Sequence, residues 1–276
     1  MTDPYFDVRG DGPVLLVLPG GAGHPMGLDP MTEHLARRFT VVTYDPLGLA
    51  HGRLGRPVAD QRVEEWSDGA RQVLDAVLPE GAAAHVLGTS SGGIAALDLL
   101  ARHPGRLRYV VAHEPPCVAV LPDGARQRER FREVYDTYRT AGPHAAGARL
   151  AALLEGREPG EARVGQPLSR AEELSSPMAV FLAHVLVPFT SYVPELDASP
   201  ARLTLAAGVG SRGQLLHRTA TFLAERTGGG FAGFPGGHLG AVEYPEAFAK
   251  RLAGVLDAPD VSRGHCGMSC ADLQES

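Results

Sequence analysis

Gly88-Thr89-Ser90-Ser91-Gly92 follows an apolar run, Ala84 to Leu87, and precedes a helix-like run that begins at Ile94. In that strand-turn-helix context a Gly-x-Ser-x-Gly pentapeptide puts its serine on a sharp bend, where the backbone is strained and bulky flanking side chains cannot pass. Both flanks here are glycine, which makes Ser90 a candidate nucleophile. A serine hydroxyl is a weak nucleophile at neutral pH until a neutral imidazole takes its proton during attack and later returns it to the leaving group. Attack on a carbonyl also builds negative charge on oxygen, which calls for preorganised backbone donors in a site that excludes water. Together these requirements describe acyl transfer.

The elements around Ser90 have the pattern such chemistry needs. Val14-Leu15-Leu16-Val17-Leu18 is a continuous apolar run stopped by Pro19-Gly20-Gly21, as expected of a strand covered on both faces. Met31 to Phe39 has apolar residues at helical spacing, and Thr40 to Tyr44 is a second strand-like run that ends at Asp45-Pro46. A helix near Val63 to Leu78, the strand Ala84 to Leu87, a helix from Ile94 to Ala101 and a strand from Leu107 to Ala112 continue the alternation. Such alternation predicts a doubly wound, mostly parallel α/β sheet with ligands at the carboxyl ends of its strands. After His113-Glu114-Pro115-Pro116 only helical patterns follow, including Phe131 to Arg139 and Ala145 to Leu154, with a polar break from Gly156 to Pro167. Strand and helix resume at Arg202 to Ala207, Leu215 to Arg226, Gly230 to Phe234 and Pro245 to Leu256. The predicted organisation is a core of residues 1–116 and 201–258, a helical lid at 117–200, and a polar, flexible tail at 259–276.

Composition narrows the function classes. A net charge of −6 over 276 residues, with arginines scattered among acids, leaves no basic stripe for a nucleic acid. Met178 to Phe189 is the longest apolar stretch, but His184 and Pro188 interrupt it and it is too short to span a bilayer; it reads as a buried or substrate-facing helix. Met1 to Tyr5 shows no basic region leading into an apolar segment, so a cytoplasmic location is expected. Cys117, Cys266 and Cys270 are odd in number and sparse, which suits reduced thiols. His265, Cys266 and Cys270 fall short of a tetrahedral metal set, and the Gly20 loop does not meet Gly-x-Gly-x-x-Gly, so neither metal nor cofactor is expected. His113 reads as a packed strand-end residue and Trp66 as a core anchor.

From Val14 to Leu256 the chain resembles the α/β-hydrolase superfamily. The resemblance matches Ser90 to the nucleophile and His238, in Phe234-Pro235-Gly236-Gly237-His238-Leu239-Gly240, to the general base. It implies oxyanion donors at the amides of Ser91 and Gly21, the latter in Pro19-Gly20-Gly21-Ala22-Gly23-His24, where Pro19 stands in place of the family's frequent histidine. The usual aspartate after the strand at Thr204 to Ala207 is missing; Gly208-Val209-Gly210-Ser211-Arg212 stands there. Some members place the acid after the preceding sheet strand, which implies Glu114 here, ahead of Glu195, Asp197 and Glu243. Phe131, Tyr135, Phe181, Val185, Phe189 and Tyr192 would line a greasy pocket beneath the lid, and His24 would face substrate. The expected function is a serine hydrolase for an ester, thioester, lactone or related acyl bond in a largely apolar metabolite. A second expectation is a non-hydrolytic protein of the same fold, such as an epimerase, cyclase, lyase or binding protein for a natural-product or peptide intermediate.

Overall fold

A computed structural model of the chain describes residues 5–23, 27–158, 160, 165–195 and 200–257. It opens with β1 (Tyr5–Arg9), β2 (Val14–Leu18), α1 (Asp29–Leu35) and β3 (Thr40–Asp45). Next come α2 (Leu47–Arg53), α3 (Val63–Val77), β4 (Ala84–Thr89), α4 (Ser91–Arg102) and β5 (Leu107–His113). Four helices then intervene: α5 (Gly124–Glu155), α6 (Arg170–Ser175), α7 (Pro177–His184) and α8 (Leu186–Thr190). The chain continues through β6 (Leu203–Gly208), α9 (Leu215–Thr227), β7 (Gly230–Phe234), α10 (Gly240–Glu243) and α11 (Pro245–Leu256).

The strands form one seven-stranded sheet in the order β1-β3-β2-β4-β5-β6-β7, parallel throughout except for β1, which runs antiparallel to β3 at the edge. The five strands from β2 to β6 are almost wholly buried, which explains their continuous apolar runs. The α3, α4 and α9 side chains pack on one sheet face with Leu16, Val86 and Val110. On the other face, α1 and α11 cover Leu15, Val17 and Val111. This winding leaves the carboxyl ends of β2, β4, β5 and β6 adjacent, with Gly88 opposite both Leu18 and Ala112.

Between β3 and α3 the chain forms a helix that no apolar periodicity marks, α2: Leu49 and Ala50 are buried, and the Arg53 guanidinium pairs with the buried Asp45 carboxylate. One expectation is corrected. The apolar stretch from Met178 to Phe189, read as one helix, divides at Val185 into α7 and α8. Within α5 the two predicted helical stretches occupy separate halves, because Pro143 cannot continue the hydrogen-bond ladder and the chain turns at Gly142. Among the described residues no helix is long and apolar enough to cross a membrane.

Candidate active site

Ser90 is the only residue between β4 and α4, and its backbone lies at φ 52°, ψ −120°. Two glycines permit that bend. A Cβ on Gly92 would collide with the carbonyl oxygens of Leu18 and Pro19, and one on Gly88 with the carbonyl of Gly92. The Ser90 amide donates to the His113 carbonyl at 2.9 Å, fastening the bend to the end of β5. Ser91 opens α4, so its N–H has no acceptor within the helix and lies at the positive end of the helix dipole.

The residue after β5 is Glu114, also in a left-handed conformation at φ 45° and wholly buried. Its amide donates to the Ala206 carbonyl at 2.8 Å, so the side chain projects beside the end of β6. Oε1 accepts the Gly208 N–H at 2.9 Å and the Ser211 hydroxyl, while Oε2 accepts His238 Nδ1–H at 2.9 Å. Gly208 makes this approach feasible: a Cβ there would come within 2.5 Å of the Gly236 carbonyl and 2.6 Å of the Gly237 Cα, the turn that carries His238. Burial alone would push the Glu114 carboxyl up, but the hydrogen bond and charge of His238, the charge of His113 and the Ser211 hydroxyl outweigh it and hold the group at about 2. An imidazole whose Nδ1–H is committed to a carboxylate keeps the Nε2 lone pair free to accept a proton.

Ser90, Ser91, Gly21 and His238 line one cavity of about 570 Å³. Its opposite wall is mostly apolar, with Phe131, Leu150 and Leu154 from α5, Met178 and Phe181 from α7, and Leu186 from α8, joined by Glu155 at the end of α5 and Thr190 at the end of α8. The Phe181 ring packs directly on the backbone of Gly21. Of the residues expected to face substrate, Phe131 and Phe181 line this cavity, whereas Tyr135, Val185, Phe189 and Tyr192 are not among its lining residues. Val185 is fully buried against the sheet-domain core, Phe189 packs on Trp66 at 4.6 Å between ring centroids, and the Tyr192 hydroxyl donates to Asp98 Oδ1 on α4 at 2.6 Å. Those three residues fasten the helical segment to the core. Tyr135 is half-buried on α5, and His24 lies outside the described residues. The stripe Leu150–Leu154, at i,i+4 on the second half of α5, is the sequence signal for the cavity wall. Among the described residues no group of three or more His, Cys, Asp or Glu could hold a metal ion; Cys266 and Cys270 lie outside them.

His113 is buried beside Phe234 and Phe248, with ring centroids 5.8 and 5.1 Å away. Burial, with a smaller contribution from His238, lowers its pKa from 6.5 to about 4 against the opposing pull of Glu114. The unfolded chain therefore binds a proton at this residue between pH 6.5 and about 4 that the folded chain refuses. Stability falls as pH drops through that window, by on the order of 3 kcal/mol in full at about 1.4 kcal/mol per pH unit. His113→Phe should remove most of that slope in urea melts from pH 7 to 4; an unchanged slope would show that His113 is not its source.

A family model of the alpha/beta hydrolase fold matches residues 13–208. An uncharacterized hydrolase, YraK, of Bacillus subtilis is 30% identical over 262 residues, covering 92% of this chain and 92% of that protein. A putative carbamate hydrolase, RutD, of Azorhizobium caulinodans is 35% identical over 107 residues, covering 39% of each chain. A carboxylesterase structure from Nitrososphaera gargenis superposes with a TM-score of 0.67 at 18% identity, covering 92% of this chain and 93% of that one.

Proposed function

The chain belongs to the alpha/beta hydrolase family, and from that premise we propose that this hydrolase cleaves an acyl bond by way of a covalent intermediate on Ser90. The bond is that of an ester, thioester, lactone or related compound with a largely apolar acyl part. The observation that carries this reading is the pairing of the buried Glu114 carboxylate with His238, whose part-exposed imidazole lines the same cavity as Ser90.

In this reading Ser90 Oγ attacks the substrate carbonyl as His238 Nε2 takes its proton. The amides of Ser91 and Gly21 hold the developing oxyanion, and Glu114 stabilises the imidazolium without itself taking the proton. The imidazolium then protonates the leaving group; water, deprotonated by the same imidazole, releases the acid and restores Ser90. The mostly apolar wall supplied by α5, α7 and α8 supports a lid role for residues 117–200 over the core of 1–116 and 201–258, keeping water from the oxyanion.

A fluorophosphonate probe tests the reading without knowledge of the substrate. The folded protein should be labelled at neutral pH, and mass spectrometry should find the adduct on Ser90. Absence of labelling in folded protein would remove the acyl-enzyme route and leave the non-hydrolytic alternative for the same cavity.

A further inference from the structure

The end of β6, where a carboxylate is missing, still contributes to the site. Ser211 is 1% exposed, and its hydroxyl lies within hydrogen-bond reach of Glu114 Oε1 and of the Gly208 carbonyl. It has one proton to give. An ionised carboxylate is the stronger acceptor, so the proton goes to Glu114. Glu114 Oε1 then carries two donors and Oε2 one, which fixes the carboxylate plane with Oε2 aimed at His238 Nδ1. A glutamate reaching this point needs such restraint more than an aspartate would, because it has one more rotatable bond to order.

We propose that Ser211 is a positioning residue for the reaction, acting through Glu114: together with the Gly208 amide it forms a two-donor clamp that holds the displaced acid in line with the imidazole. The inference rests on the Ser90 acyl-enzyme reading above. Without the Ser211 hydroxyl the carboxylate keeps the Gly208 amide alone on Oε1. It then rotates more freely, which slows proton removal from Ser90, and it becomes more basic, which favours the protonated imidazole. The titratable groups whose charges reach Glu114 are His238, after β7, and His113, at the end of β5. Both residues are retained in the variant, so any change in the pH profile arises through the carboxylate between them.

The test is the rate at which a fluorophosphonate probe labels Ser90, followed from pH 5 to 9 in the full chain. Ser211→Ala should slow labelling about tenfold near neutral pH, the scale of one charge-assisted hydrogen bond. It should also move the midpoint of the acidic limb upward by a few tenths of a pH unit, because the more basic carboxylate holds the imidazole's proton longer. A purely structural role would lower the folded fraction but leave that midpoint in place. In a Glu114→Gln background, adding Ser211→Ala should change the rate less than about twofold, since the two residues act as one unit. Equal losses in the two backgrounds, or a Ser211→Ala variant with wild-type rate and midpoint, would overturn the inference while leaving the acyl-enzyme reading intact. A folded wild type that never reacts with the probe would overturn both.

Discussion

Ser90→Ala is expected to lower kcat on p-nitrophenyl esters by roughly 10⁵-fold while leaving the folded structure in place. The residual rate would come from the cavity and the backbone donors alone, because the imidazole then has no hydroxyl to activate. The same position carries a second consequence. Ser90 lies at φ 52° in a conformation that costs a residue with a side chain on the order of 1–3 kcal/mol, and alanine keeps that cost because it keeps the Cβ. Glycine does not. Ser90→Gly should therefore be as inactive as Ser90→Ala yet melt at higher denaturant, by about 1 kcal/mol after the extra freedom of glycine in the unfolded chain is subtracted. Urea melts of the two variants beside wild type test this. A glycine variant no more stable than alanine would mean that the bend at Ser90 stores no strain, and an alanine variant with more than a few per cent of wild-type kcat would place the nucleophile elsewhere.

The parts of this molecule legible in its sequence are those whose signal is local. Strands β2 to β6 announce themselves by largely apolar runs between turn residues, because burial on both faces leaves little polar alternation to confuse them. Strand β1 carries no such signal because it is a short edge strand whose Phe6 and Val8 remain exposed. Helix α2 carries no such signal because its support is tertiary: the Asp45–Arg53 pair and three buried residues, Leu49, Ala50 and Gly52, hold a seven-residue helix that includes two glycines. The stretch from Met178 to Phe189 is apolar on all sides, so periodicity could not say which side chains face the cavity and which face the core. Residue types at the candidate site were legible from motif and order. The clamp on Glu114 was not, because Gly208 and Ser211 lie 94 and 97 positions away and reach it only once β6 lies beside β5.

The clamp decides how Glu114→Gln should behave. Glutamine is nearly isosteric, but its two terminal groups are not equivalent: one only accepts and the other donates. At Oε1 the structure presents two donors, the Gly208 amide and the Ser211 hydroxyl, so the amide oxygen must occupy that position. The NH₂ is then forced toward His238 Nδ1, where a donor can be met only by an unprotonated nitrogen. The imidazole must place its proton on Nε2 instead, the atom that should accept from Ser90. Turnover should fall by about 10³- to 10⁴-fold through the wrong tautomer, with little change in substrate affinity. Stability should respond with a defined sign. The Glu114 carboxyl is held at about 2, below its ordinary 4.5, so its stabilising contribution is complete above pH 4.5 and is lost as pH falls toward 2. The gap in thermal midpoint between wild type and Glu114→Gln should accordingly be wide at pH 7 and narrow by pH 3. A glutamine variant within tenfold of wild-type turnover, or a larger loss from Asp197→Asn, would move the acid away from Glu114.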